Sequence, residues 1–329
     1  MSNEDVMKLA LQKLQENKKA WLKQFNNYVK SIARNNDNFK NSKKKFHNWD
    51  PFKLYLNTTN AQKNSTLNLS VRYLGQEVAN LSCGYANSAT PLLNTMEFNS
   101  TNTRDFNCVF KVDNKPWNSK ESSDFRNYFI KTKPIRTSNS NSNNEEHRLE
   151  SLLLSEFSKP RSEKLVKWIQ PIRLSNYFRY PMPTAISASD HENIHYSSKP
   201  SNIDILTKIK RGNRSHLCII ELKDENKSGE PPALVIQQAL AYTVFIHELL
   251  RNDNGEKWWK LFGFNKPIPE KLILYAACAM PSNKNDDYSF AGTELSIGEK
   301  DIIQLHYIYF KEENNEIKEI NASWAKKPN

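Results

Sequence analysis

The sequence predicts an α/β protein in two parts, an N-terminal α+β region followed by a longer α/β domain. Three observations carry that prediction. The segment Leu217-Cys-Ile-Ile-Glu-Leu-Lys223 is apolar almost throughout and lies between a second strand pattern and a long helix pattern. Leu67, Leu69, Val71 and Tyr73 alternate with Asn68, Ser70 and Arg72, as in a strand with one buried face. Between these two textures, Thr137-Ser-Asn-Ser-Asn-Ser-Asn-Asn144 holds no apolar residue and reads as a linker. The resulting boundaries are 1–136 for a basic helix plus β-rich recognition region, 137–144 for the linker, and 145–329 for the second domain.

Length and composition fit this division. The chain has 329 residues, 38% of them hydrophobic and 11% aromatic, which is enough for two cores and argues against wholesale disorder. No stretch is read as the run of about 20 apolar residues that a membrane helix needs. The start, MSNEDVMKLALQKLQ, carries acids where a signal peptide needs basic residues. Cys83, Cys108, Cys218 and Cys278 lie far apart without a CxxC pair, so neither a zinc knuckle nor a disulfide framework is expected. These features predict a chain of the reducing cytoplasm with no membrane partner. The 47 Lys and Arg exceed the 36 Asp and Glu by 11, and residues 1–50 hold eleven basic against five acidic side chains. Such a surplus favours a polyanionic partner, nucleic acid before a membrane surface.

The elements follow in order. Val6, Leu9, Leu11, Leu14, Trp21, Leu22, Phe25 and Tyr28 predict a helical stretch over 4–34. After the basic run Lys43–Lys45, the strand over 67–73 turns at Gly75 into Val78–Cys83. Phe106, Cys108, Phe110 and Val112 repeat the alternation and predict a further strand. In the second domain a helix is expected over 145–157 and a strand near 180–187. A strand over Asn202–Ile209 then turns at Arg211-Gly-Asn213 into the apolar strand. Pro231-Pro232 opens a helix to about Leu250, because proline suits the first helical turn. Lys271–Met280 reads as a buried strand, and Ile302–Phe310 with Ile317–Ser323 as a hairpin joined at Asn314-Asn315. Trp258-Trp259 is expected to cap the core beneath the long helix. The segment Asp190-His-Glu-Asn-Ile-His195 invites a metal reading through His191 and His195, but its polarity favours a solvated loop. GxGxxG, P-loop and GxSxG elements are absent from the sequence.

The chemistry concentrates on Asp204 and, after sixteen intervening residues, Glu221-Leu222-Lys223. Alternate side chains of a strand share a face, so Glu221 and Lys223 project together, about 7 Å apart at the backbone. Charges on a buried strand are costly unless paired or used. The 210–216 turn brings Asp204 toward Glu221, and two carboxylates about 4 Å apart repel by roughly 4 kcal/mol at an effective dielectric near 20. A divalent cation reverses that sign, and magnesium needs only one or two carboxylates.

These residues resemble the PD-(D/E)XK, or restriction-endonuclease-like, nuclease superfamily. Ile203-Asp204 stands on one strand and Glu221-Leu222-Lys223 on the next, with isoleucine where the family has proline. Gln238-Ala-Leu-Ala-Tyr242 is similar to the Q-x-x-x-Y element of the RecB-like branch, and positions i and i+4 share a helix face. Glu150 lies between Leu154 and Phe157 on the helical wheel and fits the family's helix glutamate, although the same arc admits Glu146. The resemblance covers about residues 145–280. It implies a core with a mixed central sheet flanked by helices. It also implies Mg²⁺, with Mn²⁺ as a substitute, on Asp204, Glu221 and Glu150. Lys223 becomes the catalytic lysine, with Gln238 and Tyr242 ordering the site. The implied activity is metal-dependent phosphodiester hydrolysis, of DNA first and RNA or a branched junction second, in a prokaryotic restriction or phage-defence role. A homodimer or a defence-system partner subunit is compatible with it. A catalytically silent nucleic-acid-binding or assembly protein on the same fold is the rival expectation.

Overall fold

The computed structural model describes the chain outside residues 35–49, 57–65, 87–89, 98–105, 114, 117–118, 136–141, 175–177, 190–192, 226–229, 285 and 326–329. Lys43–Lys45, His191 and most of the expected linker lie outside the described residues. Packing divides the rest into two units: 1–27, 149–172 and 181–329 form the larger, and 28–148 with 173–180 the smaller. The sequence boundary at 137–144 therefore does not coincide with the packing boundary.

The reason lies at the N-terminus. The stretch expected as one helix over 4–34 is two, α1 (Asn3–Glu16) and α2 (Lys18–Arg34). Asn17 interrupts them because its side-chain amide donates to the Lys13 carbonyl and closes α1 (3.0 Å). Ser2 and Asp5 cap the start of α1 reciprocally. Val6, Met7, Ala10 and Leu14 are buried within the larger unit, and Gln237 holds the chain end by donating to the Met1 carbonyl (2.8 Å). Trp21 and Phe25 pack edge-on against Phe245, and Phe25 also meets Trp258. The first 27 residues are core of the larger unit, not part of a separate recognition region.

The smaller unit is a six-stranded sheet. Its strands are β1 (Lys53–Leu56), β2 (Thr66–Tyr73), β3 (Gln76–Ala86), β4 (Thr90–Glu97), β6 (Arg173–Leu174) and β7 (Phe178–Arg179), in the order β4-β3-β2-β1-β7-β6. Helix α3 (Lys120–Thr132) contributes Phe125 and Phe129 to an aromatic core with Phe52, Tyr73 and Phe106. The strand expected over Phe106–Val112 does not form. Asn107 adopts a left-handed conformation (φ 52°), which breaks an extended run, and Tyr128 Oη donates to the Phe106 carbonyl (2.7 Å) in place of a ladder bond. Burial of Phe106, Cys108 and Val112 produced the alternation without a strand.

The larger unit is α/β, with a mixed seven-stranded sheet flanked by helices. Its strands are β5 (Ile169–Pro171), β10 (Ile205–Arg211), β11 (Arg214–Leu222), β12 (Ile273–Pro281), β13 (Glu294–Ile297), β14 (Asp301–Glu313) and β15 (Glu316–Ala322). The order is β13-β14-β12-β11-β10-β5, with β15 also on β14. β11 pairs antiparallel with β10 and parallel with β12, which pairs parallel with β14. Gly212, at φ +57°, makes the tight β10–β11 turn, and Asn314 and Asn315 (φ 54° and 60°) make the β14–β15 turn. β8 (Met182–Ser187) and β9 (His195–Ile203) form a separate hairpin.

Helix α4 (Ser142–Glu156) places Leu149, Leu153 and Leu154 in one cluster with Cys218, Ile220 and Leu222 of β11. Helix α5 (Pro232–Leu250) packs on β11 and β12. By length and composition α5 passes as a membrane span, contrary to the sequence reading, yet 83% of its most apolar window is buried within the fold. It is hydrophobic all round because it is a core helix. Gly255 then opens α6 (Gly255–Leu261), where a Cβ would lie 1.8 Å from the Leu250 carbonyl oxygen. Trp258 and Trp259 are buried in the core, as expected.

Asp301 ties the end of α5 to the sheet. It accepts from Arg251 Nε and Nη2 (both 2.7 Å) and from the Leu272 N–H (2.8 Å), and lies 2.9 Å from His247 Nε2. Burial alone would raise its carboxyl pKa, but these bonds, Arg251 first, hold it below the ordinary range. A depressed folded pKa gives stability that is complete above the unfolded value near 4 and lost as pH falls through the folded one. Asp301→Asn should lower unfolding stability by about 2–3 kcal/mol at neutral pH. Urea denaturation should show that deficit shrinking on acidification.

Candidate active site

β11 is fully buried from Leu217 to Leu222, which includes Glu221 at 4% exposed. Ile220 and Leu222 serve the α4 face, so alternation turns Glu221 to the other face of the sheet. There its register partner on β12 is Cys278. Lys223 follows the end of the strand, donates its backbone N–H to Ala279 (3.0 Å) and brings Nζ to 3.7 Å from Glu221 Oε1. The pairing of Glu221 with Lys223 is thus as alternation requires.

Asp204 does not lie within a continuous strand, as the sequence reading had it. It is the single residue between β9 and β10, flanked by the buried Ile203 and Ile205. Its Oδ2 accepts the Leu222 N–H at 2.9 Å. The carboxylate takes the place of a ladder carbonyl where β10 stops pairing with β11, and this explains the break. It also brings Asp204 to the end of β11 that carries Glu221 and Lys223.

Gln238 and Tyr242 reach the same place from α5. Gln238 Nε2 donates to Tyr242 Oη at 3.3 Å, and both side chains are buried. The Tyr242 hydroxyl is pushed up to about 12, first by burial and then by the negative charge of Glu221, with Asp204 adding to it. Bonds from Gln238 and the Ala188 backbone oppose the shift. Four of the six expected residues therefore converge electrically on Tyr242 or bond to one another, counting Asp204, Glu221, Gln238 and Tyr242. Lys223 joins through Glu221. Gln238 Oε1 is buried and accepts no hydrogen bond among the described residues.

Glu150 comes from a different element. It is buried on α4, whose leucines pack on the Ile220 and Leu222 face. Glu146, on the same helix, is half-exposed. Among the described residues no group of three or more His, Cys, Asp or Glu forms a metal cage, so Glu150 does not complete a triad with Asp204 and Glu221. The donor set that remains is two hard carboxylates, which suits magnesium or manganese, since magnesium keeps several waters. His195 opens β9 rather than lying in a loop, and its Nδ1 is 3.0 Å from the Asn193 carbonyl.

The sequence reading missed Cys278 as a neighbour of the site. Its thiol is raised well above the ordinary range by burial and then by Glu221, while Lys223 acts in the opposite sense. No sequence signal marks it, because only the β11–β12 register sets it beside Glu221.

Charge removal should be readable at Tyr242. In Glu221→Gln the hydroxyl loses a negative neighbour, so its pKa should fall below about 12 while burial keeps it above that of a free tyrosine. Carbon-13 NMR titration of labelled tyrosine, with Tyr242→Phe for assignment, measures this. An unchanged midpoint would show that Glu221 does not face the ring.

No protein-family model, curated protein or solved structure matches the chain.

Proposed function

We propose that this protein is a magnesium-dependent nuclease of restriction-endonuclease-like fold that hydrolyses phosphodiester bonds in DNA. The observation that carries the reading is the convergence of Asp204, Glu221 and Lys223 at one end of a buried strand, against Gln238 and Tyr242. Two carboxylates drawn to one end of a buried strand are costly for stability alone, and a favourable arrangement for holding a divalent ion against a phosphate.

Bound between Asp204 and Glu221, the ion would supply Lewis-acid stabilisation and a water of lowered pKa. The Leu222 N–H fixes Asp204 through Oδ2. Glu221, held on a central strand, contributes a rigid second ligand. Lys223, with Nζ beside Glu221, would hydrogen-bond the attacking water or a non-bridging phosphate oxygen as negative charge develops. The Gln238 Oε1 acceptor orients a donor at the same end. Tyr242 stays protonated at neutral pH, because burial and Glu221 raise its pKa, and so acts as a donor and not as a base.

Plasmid, linear and single-stranded DNA, and RNA, incubated with Mg²⁺, Mn²⁺ or EDTA test the reading. Asp204→Ala, Glu221→Ala and Lys223→Ala should each abolish cleavage, by about a thousandfold or more, with circular dichroism unchanged. Gln238→Ala should lose less, and Tyr242→Phe less again. Undiminished cleavage by all three site variants would remove the assignment, and cleavage of RNA alone would move the substrate.

A further inference from the structure

A second feature lies at the opposite end of β11. The turn between β10 and β11, the start of β12, the segment following α4 and the loop after α6 enclose a cleft of about 1110 Å³. Nine Lys or Arg line it against one acid, Glu270, which is itself paired with Lys300. Arg161, Lys167, Lys208, Lys210, Arg214 and Lys271 form no ion pair with an acid among the described residues. Like charges gathered in one concavity repel, and an anionic ligand removes that cost.

The walls are not only basic. Trp168 is 43% exposed, with the Arg161 guanidinium 3.5 Å from its ring centroid and Lys210 Nζ at 5.7 Å. A smaller cavity of about 570 Å³ shares Trp168, Lys167 and Lys210, so the indole stands where two hollows meet. Phe264 stacks on Trp259 (3.6 Å), and Trp259 Nε1 donates to the Lys266 carbonyl, which fixes that loop. Lys208 is half-buried over Phe264, donates to the Gly263 carbonyl (3.1 Å) and has its ammonium pKa lowered by burial.

We propose that this cleft binds a single strand of nucleic acid, with phosphates on its basic rim and a base against the exposed ring of Trp168. A basic groove interleaved with an accessible aromatic ring is the pattern that single strands use, because every base presents a π-face. The volume sits at the top of the small-ligand range, enough for a short segment but too small to enclose a duplex. An acidic peptide would use the charge but not the indole. The cleft lies about 20 Å from Glu221 along β11, counted at the strand rise. It is therefore a site separate from the carboxylates and does not rest on the nuclease reading.

Fluorescence anisotropy of a labelled oligothymidylate with the full chain, in EDTA, tests it. Lys210 and Arg214 are exposed, so Lys210→Ala/Arg214→Ala should fold normally. The double variant should lose about tenfold or more in affinity, and its log–log salt slope should flatten by about 1.4, from roughly 0.7 per phosphate contact. Trp168→Ala should weaken binding by about five- to a hundredfold, and Trp168→Phe should restore most of it. Oligothymidylate should compete better than duplex of the same length, tripolyphosphate or polyglutamate. Unchanged affinity and slope in the double variant would overturn the proposal, as would indifference to Trp168→Ala or equal competition by tripolyphosphate or polyglutamate. Because the assay reads binding without metal, failure of the wild-type chain to cleave would overturn the nuclease reading and leave this one standing.

Discussion

The larger unit depends on carrying charge into a buried strand. From Leu217 to Leu222 β11 has no exposed residue, yet Glu221 belongs to that run. A buried carboxylate needs compensation, and the neighbouring elements supply it from several directions. Lys223 approaches from the strand end, and α5 faces it with a tyrosine kept protonated by burial first and then by that same charge. Asp204 adds a second negative charge rather than relieving the first. It is held there by a backbone N–H of β11 itself. The fold thus gathers two carboxylates and a lysine at one end of a buried strand.

The two ends of β11 have opposite character. At the Glu221 end, carboxylates converge among apolar side chains. At the Arg214 end, lysines and arginines from four segments converge on a cleft with an exposed indole. The strand is rigid and central, so each end is held at a fixed distance from the other. Under the two proposals, a strand of nucleic acid spanning the domain would meet its binding surface and its reactive centre at defined positions.

Much of this was legible in the sequence. The apolar run over 217–222, the proline-led helix and the turn residues Gly212 and Asn314-Asn315 specify local structure through sterics and periodicity, and the structure follows them. Glu221 with Lys223, and Gln238 with Tyr242, are pairs separated by one strand or helix period, so local geometry alone brings each together. Where local pattern misled, a side chain had taken a backbone role. Asn17 closed a helix, Asp204 ended a strand, and Tyr128 held the Phe106 carbonyl that alternation had assigned to a ladder.

The sequence by itself therefore determined the α/β class, the order of the principal elements and which charged residues fall on the central strand, because these depend on neighbours a few positions apart. Tertiary structure alone decided four other things. It drew the first 27 residues into the larger unit, set Cys278 beside Glu221, and left Glu150 on the helix that packs the other sheet face. It also gathered the basic cleft, whose members are spread from Lys159 to Lys271 while the sequence concentrates its basic surplus in the first fifty residues. Each of these depends on strand order and helix docking between distant segments, which periodicity does not encode.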